Sequence, residues 1–261
     1  MSVYQIKYMD AVPDSAVCNE AVKLAKRHKF AQLSGFVNGV LRNIARNIDL
    51  VQFDTLSIRY SMPQWIVDRF VSAYGEKKAE EIFKAFHNKS TISIRTNLTR
   101  CTPDELRAKL EAEGVTVTAV DELNYAFVIS GFDYLNGLQS FRDGLFYVQD
   151  ISSMLVAQTA APKKGDYVID VCAAPGGKST HIAELLQGSG HVLARDLTDN
   201  KVDMIEENIE RHGLNNMSAE VWDATVPDAD SAGKADILIC DLPCSGLGVL
   251  GRKKDIRYKM T

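Results

Sequence analysis

The chain has 261 residues, of which 46% are hydrophobic and 25% are charged, and its formal net charge is −4. This composition is that of an ordinary soluble globular protein. The five cysteines are odd in number and widely scattered, which fits a reducing compartment better than a disulfide framework.

The sequence has neither a basic, then apolar, N-terminal leader nor an apolar run near the roughly 18 residues of a membrane span. It therefore predicts a cytoplasmic protein with no membrane association. The mildly acidic balance gives no overall sign of nucleic-acid binding, although a basic face can occur on an acidic chain.

Residues 1–50 are predicted to be helical, because apolar side chains recur there at helical spacing in two stripes. Lysines and arginines fall mostly off these stripes. They are typical of a solvated helix surface, and an RNA-facing surface is the alternative. Helical patterns continue towards residue 90, and one of them ends at Gly75.

The spacing of the apolar residues changes after residue 90, from the helical period to alternation. Alternating apolar residues between Ile92 and Leu98 indicate a strand that buries one face, and a capping-box pattern at Thr102 and Glu105 begins a helix. Further strands are predicted at 115–120, 126–130 and 145–148, and a helix at 151–160. This β-α-β-β order suggests a small ferredoxin-like or RRM-like unit, although it lacks the aromatic strand motif of a true RRM.

From Tyr167 onwards, strands and helices alternate. Strands are predicted at 167–171, 191–196, 217–222 and 235–241, and helices at 180–186 and 197–212. This pattern predicts a doubly wound α/β domain with a parallel sheet. We therefore expect three domains, at residues 1–50, 51–160 and 161–261.

The segment YVIDVCAAPGGKS at 167–179 joins a strand to a helix through a glycine-rich loop. Such a loop lets backbone N–H groups approach a nucleotide-like ligand. A P-loop would need glycine at the start of G-x-x-x-x-G-K-S/T, and Cys172 stands there instead. An NTPase is therefore the least favoured of the three functions that we consider.

Acidic residues follow the four predicted strands, at Asp170, Asp196, Asp223 and Asp241. Any one of them alone is more often a solvated loop carboxylate. Together they are expected to converge on the crevice at the carboxyl ends of the strands, where Asp196 can accept hydrogen bonds from a ribose. The acidic, phosphate-free crevice favours a cationic nucleoside, S-adenosylmethionine, over NAD or ATP.

Two cysteines lie near the fourth strand. Cys244 is on a Pro/Gly turn at the predicted mouth of the crevice, where thiolates act as nucleophiles or bases. Cys240 is predicted to be a buried apolar residue. Because no second Cys or His pair stands nearby, no metal site is predicted.

These segments together resemble the RNA 5-methylcytosine methyltransferases, and among them the bacterial Sun/RsmB-type 16S rRNA enzymes. The likeness is carried by DVCAAPGGKS, DLPCSGLGVL, FYVQDISSMLVA and the helices NEAVKLA…GFVNGVLRNI. It implies an incomplete Rossmann-like methyltransferase domain, preceded by a small α+β RRM-like or ferredoxin-like domain and part of a helical NusB-like domain. Leu242 stands where the family usually has Ala, a minor departure.

The resemblance also implies a site and a reaction, C5 methylation of a cytosine in 16S rRNA before the subunit is fully assembled, by a monomer. A thiolate adds to C6 of the cytosine, C5 takes the methyl group, and a second cysteine assists release. Cys244 matches the releasing cysteine, and Asp241 would lie near the N3 edge of the base. The residues implied to hold S-adenosylmethionine are Cys172, Ala173, Ala174, Pro175, Gly176, Gly177, Lys178, Asp196, Asp223 and Asp241.

In the family, the attacking cysteine belongs to a later Thr-Cys-Ser segment, which this sequence does not contain. The apolar fourth strand and the N-terminal helix stripes also lack predicted partners. We interpret the chain as a fragment truncated at both ends and inactive alone. If 261 residues is the natural product, a non-catalytic RNA-binding or S-adenosylmethionine-binding protein is the alternative.

Overall fold

The structure, a computed structural model, describes residues 1–51, 53–88 and 91–259. It divides into two compact units, residues 1–87 with 257–259, and residues 88–256. The helices are α1 (Ser2–Tyr8), α2 (Asp14–Arg27), α3 (Ser34–Asn47), α4 (Leu56–Arg59), α5 (Gln64–Tyr74), α6 (Glu76–Ala85), α7 (Pro103–Ala112), α8 (Gln139–Arg142), α9 (Ile151–Ala160), α10 (Gly177–Leu185), α11 (Asp199–His212) and α12 (Ile256–Lys259). The strands are β1 (Ile92–Thr96), β2 (Thr116–Val120), β3 (Leu123–Ser130), β4 (Phe146–Val148), β5 (Tyr167–Asp170), β6 (His191–Asp196), β7 (Met217–Val221) and β8 (Ile237–Ile239).

The first unit is helical, as predicted. Helices α2 and α3 pack through Val17, Cys18 and Leu41, which are buried. Helices α5 and α6 pack through a second apolar cluster, in which the rings of Phe70 and Phe83 lie 5.4 Å apart. The basic residues that the sequence places off the apolar stripes are exposed; they are Lys23, Lys26, Arg27, Lys29, Arg42 and Arg46.

The second unit begins with an antiparallel sheet in the order β2-β3-β1-β4. Helix α7 connects β1 to β2, and β3 lies between these two strands in the sheet. This is the split β-α-β arrangement of a ferredoxin-like fold. The predicted capping box is present, because Thr102 N donates to Glu105 Oε2 at 2.8 Å and Glu105 N donates to Thr102 Oγ1 at 3.3 Å.

Strand β1 corrects one expectation, because both of its faces are buried rather than one. Ile94 packs in the core formed with α7, and Ser93 and Arg95 on the opposite face are only 8% and 1% exposed. That face packs towards α10, as the contacts of Arg95 with Thr180 and Glu184 show. The apolar alternation alone could not reveal this burial, because the groups that cover the second face are polar.

The second sheet is parallel, in the order β7-β6-β5-β8. Helices α10 and α11 connect β5 to β6 and β6 to β7, whereas β8 returns to the other side of β5. The strand order therefore reverses between β5 and β8, which is where open α/β sheets bind their ligands. No helix within the described ranges is long and apolar enough to cross a membrane.

Two predicted boundaries shift in this sheet. Helix α10 begins at Gly177, three residues before its predicted start, because Gly176 caps it in a left-handed conformation. Strand β8 is shorter than predicted and ends at Ile239. Asp241 therefore follows the strand by two residues.

Two buried histidines lie on α10 and α11, His181 within α10 and His212 at the end of α11. The ring of His181 packs against Tyr125 at 5.3 Å, and that of His212 against Tyr147 at 5.2 Å. Burial, with Arg95 adding to it, lowers the pKa of His181 to about 3. Burial and nearby arginines, Arg211 first, lower the pKa of His212 to about 2. Both rings are therefore neutral in the folded protein at neutral pH.

Below pH ~6.5 the two histidines should contribute a loss of stability, because the unfolded chain then protonates both of them and the folded chain does not. Glu184, whose pKa burial raises to about 7, contributes in the opposite direction. Each histidine contributes a slope of about 1.4 kcal/mol per pH unit. We expect His181→Gln to lower the slope of unfolding free energy between pH 6.5 and 5 by about that amount. Urea denaturation at several pH values measures it, with the exposed His28→Gln as control. Equal slopes in all three proteins would contradict the prediction.

Candidate functional site

The crevice at the reversal of strand order is built on the last residue of β5. Asp170 is 1% exposed, accepts a hydrogen bond from Ser179 Oγ at 2.6 Å and accepts a second from Cys172 N at 3.4 Å. Burial raises the pKa of Asp170, and these two bonds oppose that rise. The first turn of α10 is thereby attached to the end of the strand.

The loop between β5 and α10 is held against β6. Ala173 N donates to Arg195 O at 2.8 Å, and Ala174 N donates to Asp196 Oδ2 at 2.9 Å. Gly176 has φ +100°, a left-handed conformation that side chains rarely adopt. A Cβ on Gly177 would lie 3.0 Å from Tyr147 Cε1. Both glycines are therefore required by the course of the loop.

Asp196 is the acidic anchor of the loop. Its carboxylate accepts the hydrogen bond from Ala174 N and two more, from Leu197 N and from Lys201 Nζ, each of these two at 2.8 Å. Burial raises the pKa of Asp196, but the hydrogen bonds from Lys201, Leu197 and Ala174 outweigh it, so that the pKa lies below its usual value. The 3% exposed side chain therefore carries a negative charge directly behind the loop.

The loop is also held from its other side. Tyr147 Oη and Asn208 Nδ2 both donate to Pro175 O, at 2.9 and 3.0 Å. Arg211 Nη2 in turn donates to Asn208 Oδ1 at 2.7 Å. Burial raises the pKa of Tyr147 to about 12, so this hydroxyl keeps the proton that it donates.

In front of the loop lies a small pocket of about 150 Å³. Lys178 and Asp241 form an ion pair across it, and Asp150 pairs with Arg252. The pocket is lined by Tyr147, Val148, Gln149, Asp150, Ser153, Asp170, Cys172, Ala173, Ala174, Pro175, Gly177, Lys178 and Asp241.

The structure brings most of the predicted site residues together. Those that line the pocket are Cys172, Ala173, Ala174, Pro175, Gly177, Lys178 and Asp241. Gly176 shapes the loop, and Asp196 lies behind it. Asp223 is exposed and accepts hydrogen bonds from the backbone and hydroxyl of Thr225, at 2.9 and 2.7 Å. Cys244 is exposed and is not among the residues that line this pocket.

The cysteines correct one expectation. Cys240 is exposed rather than buried, as is Leu238, which is 58% exposed and lies two residues earlier on the edge strand β8. Cys172 is half-buried, and burial followed by the charges of Asp196 and Asp170 raises the pKa of its thiol. Within the described parts of the chain, no group of three or more His, Cys, Asp or Glu side chains could hold a metal ion.

Some residues of the ferredoxin-like sheet contact the helix and the segment that form the site, and they were not predicted. Arg95 Nε donates to Gln149 Oε1 at 2.8 Å, Arg95 Nη2 donates to Thr180 Oγ1 at 3.1 Å, and Arg95 pairs with Glu184. A charged residue in the middle of an alternating strand was a signal for Arg95. Gln149 lies within FYVQDISSMLVA, a segment that contributed to the family resemblance without a role for any single residue.

Three family models match the chain in consecutive parts. They are described as NusB family at residues 1–46, RsmF/B-like ferredoxin-like domain at 62–132, and 16S rRNA methyltransferase RsmB/F at 157–261. A probable ribosomal RNA small subunit methyltransferase B of Bacillus subtilis is 38% identical over 99% of the chain. The chain belongs to the RsmB/F methyltransferase family.

A ribosomal RNA small subunit methyltransferase B of Proteus mirabilis is 33% identical, again over 99% of this RsmB/F-family chain. The alignments cover 59% of the Bacillus relative and 61% of the Proteus relative. The chain therefore spans about three fifths of the length of these curated relatives.

Solved structures share the fold. The crystal structure of PH0851 matches with a TM-score of 0.80 and 24% identity, over 100% of this chain and 60% of that one. A structure described as NSun6 from Pyrococcus horikoshii with SFG matches with a TM-score of 0.65 and 23% identity, over 71% of each chain. These likenesses confirm the predicted combination of a Rossmann-like domain with a preceding small α+β domain.

The support from Arg95 can be tested by Arg95→Met. This change leaves Glu184 buried without its partner, which costs about 3–5 kcal/mol at comparable buried pairs. We expect a loss of about 3 kcal/mol in unfolding free energy, measured by urea denaturation. Lys109→Met, the same kind of change at an exposed position of this unit, should cost less than about 0.5 kcal/mol. Equal losses of unfolding free energy in the two variants would show that the buried pair of Arg95 and Glu184 contributes nothing to stability.

Proposed function

We propose that the protein containing this chain uses S-adenosylmethionine to methylate C5 of a cytosine in 16S rRNA. The observation that carries the proposal is the loop at 172–178, which is anchored by the ionised carboxylate of Asp196 at the end of β6. The family model describes 16S rRNA methyltransferases and the Bacillus relative is a probable small-subunit rRNA methyltransferase, which supports the substrate class. The proposed location is the cytoplasm, where 16S rRNA would be met before the subunit is fully assembled.

The residues of the crevice fit the cofactor by their chemistry. S-adenosylmethionine carries positive charge and ribose hydroxyl donors, and the crevice offers the carboxylates of Asp196 and Asp241. Asp196 would accept from the ribose, as carboxylates in this position of doubly wound sheets do. The SFG in the structure of the archaeal relative is an analogue of this cofactor. Bound there, the cofactor supplies an electrophilic methyl group.

The proposed cofactor residues are those that the sequence predicts. The backbone and side chains of residues 172–178 cradle the ligand, and Asp196, Asp223 and Asp241 contribute carboxylates. Asp223 follows β7 by two residues and is exposed. Its contact with the cofactor is therefore proposed from the sequence and from its place after β7.

Two further residues are proposed for the reaction itself. Asp241, which pairs with Lys178, would hydrogen-bond the N3 edge of the cytosine. Cys244, three residues later and exposed, would assist removal of the C5 proton and release of the base. The cysteine that attacks C6 is proposed to belong to a Thr-Cys-Ser segment of the protein, which the present sequence does not include.

The other domains are proposed to bind the rRNA. We place a NusB-like helical domain at residues 1–50, linker helices with the ferredoxin-like domain at 51–160, and the methyltransferase domain at 161–261. The exposed lysines and arginines of α2 and α3 would supply contacts to phosphates. The protein is proposed to act as a monomer.

The first test of this proposal is cofactor binding. We expect S-adenosylmethionine to bind the chain in isothermal titration calorimetry and ATP to bind much more weakly. Asp196→Asn should weaken the affinity for S-adenosylmethionine roughly 10-fold or more, since a hydrogen bond to a charged group contributes about 1.5–3 kcal/mol.

Asp199→Asn is the matched control, because Asp199 is an exposed carboxylate three residues away. It should leave the affinity unchanged. Tight ATP binding without S-adenosylmethionine binding would contradict the proposal and favour the NTPase. Cofactor binding without methyl transfer by the full product of the gene would favour the non-catalytic binding protein.

The second test addresses Cys244. In a protein that includes the Thr-Cys-Ser segment, Cys244→Ala should stop release and accumulate a covalent complex with 16S rRNA. A band of protein bound to RNA on a denaturing gel measures this outcome. Cys240→Ala should leave release intact, since Cys240 has no proposed part in the reaction. Normal turnover of the Cys244→Ala protein, or a complex with both variants, would refute the assigned role.

A further inference from the structure

Gln149 is a buried residue whose position is determined by the ferredoxin-like sheet. It follows β4 directly and is 6% exposed. Its backbone N donates to Ser93 O at 3.1 Å, and Ser93 Oγ donates to its carbonyl oxygen at 2.7 Å. Two hydrogen bonds to β1 therefore fix the backbone from which the side chain projects.

The orientation of the Gln149 amide is also determined. Its Oε1 accepts the hydrogen bond from Arg95 Nε, and Arg95 is itself held by Glu184 and Thr180. Because Arg95 can only donate, the oxygen of the amide must face it and the NH₂ group must face away. This Nε2 is buried and has no hydrogen-bond partner among the described residues. A buried donor without a partner is costly, by about 1–3 kcal/mol.

The unpartnered NH₂ group lies beside the start of α10. A Cβ placed on Gly177, the first residue of α10, would be 3.6 Å from Gln149 Nε2. Gln149 and Gly177 both line the pocket in front of the loop. The N-terminus of a nine-residue helix and an amide donor therefore meet at one end of this pocket. Both favour an anionic oxygen ligand.

The charges around the pocket leave this end available to an anion. Asp241 is paired with Lys178, and Asp150 is paired with Arg252. Asp170 accepts from Ser179 and Cys172, and burial raises its pKa. The carboxylates of the pocket are thus each engaged by donors, whereas Gln149 Nε2 has no acceptor among the described residues.

We propose that the Gln149 amide, together with the N-terminus of α10, binds the carboxylate of the amino-acid tail of S-adenosylmethionine. This inference rests on the proposed cofactor and adds a binding residue from outside the glycine-rich loop. The carboxylate supplies the acceptor that Gln149 Nε2 lacks. Arg95 acts as a positioning residue, because it determines which end of the amide faces the pocket.

The test compares two ligands that differ in the tail. S-adenosylhomocysteine carries the carboxylate, and 5′-methylthioadenosine has the same adenosine and thioether without the amino-acid group. Both are titrated calorimetrically into the chain and into Gln149→Glu, which keeps an oxygen towards Arg95 and replaces the donor by a second oxygen. Gln149→Leu is the second variant, and Gln139→Leu, the same change at an exposed glutamine of this unit, is the matched control.

We expect Gln149→Glu and Gln149→Leu to bind S-adenosylhomocysteine at least 10-fold more weakly and to bind 5′-methylthioadenosine within twofold of the unsubstituted chain. Gln139→Leu should retain both affinities. Equal losses for the two ligands would show that Gln149 only supports the loop, and no loss would show that it does not bind the tail. Either result overturns this inference alone. If the unsubstituted chain binds neither ligand, the proposed cofactor fails as well.

Discussion

The support of the candidate site depends on one buried cation. Arg95 projects from the middle of β1 and is 1% exposed, so its charge must be met by partners within the protein. It meets Glu184 and Thr180 on α10 and Gln149 after β4. These contacts join the ferredoxin-like sheet to the helix that begins the candidate cofactor site. A buried ion pair is weak evidence for stability as such, but its directional hydrogen bonds determine orientation.

The loop at 172–178 shows how a sequence close to a P-loop can be shaped for another ligand. Its course is set by Gly176 in a left-handed conformation, by the small Gly177 beside Tyr147, and by hydrogen bonds to Arg195 and Asp196. The ionised Asp196 lies directly behind it. On the side of the loop that faces Asp196, a phosphate chain would meet that carboxylate, whereas the hydroxyl donors of a nucleoside are favoured there. The geometry therefore agrees with a nucleoside cofactor better than with a phosphate chain.

The sequence predicted the elements well where local signals are strong. The capping box, the alternating strands and the strand–loop–helix segment all appear where they were expected, and the two sheets have the predicted architecture. It failed where burial depends on distant parts of the chain. The second face of β1 meets α10, and Cys240 is exposed, as is Leu238 on the edge strand β8. The roles of the site residues stay predictions.

The sequence by itself determined the class of each domain and the loop on which the site is built, because periodicity, capping and glycine spacing are local properties. Its family was indicated by the resemblance of whole segments to known sequences. Only the tertiary structure decided which side chains surround that loop. Arg95 meets Gln149 across 54 positions and Glu184 across 89. Such pairings arise from the packing of one sheet against a helix of another domain, and no local pattern encodes them. The unpartnered amide of Gln149 became visible for the same reason, since an orphaned donor is defined by its neighbours in space.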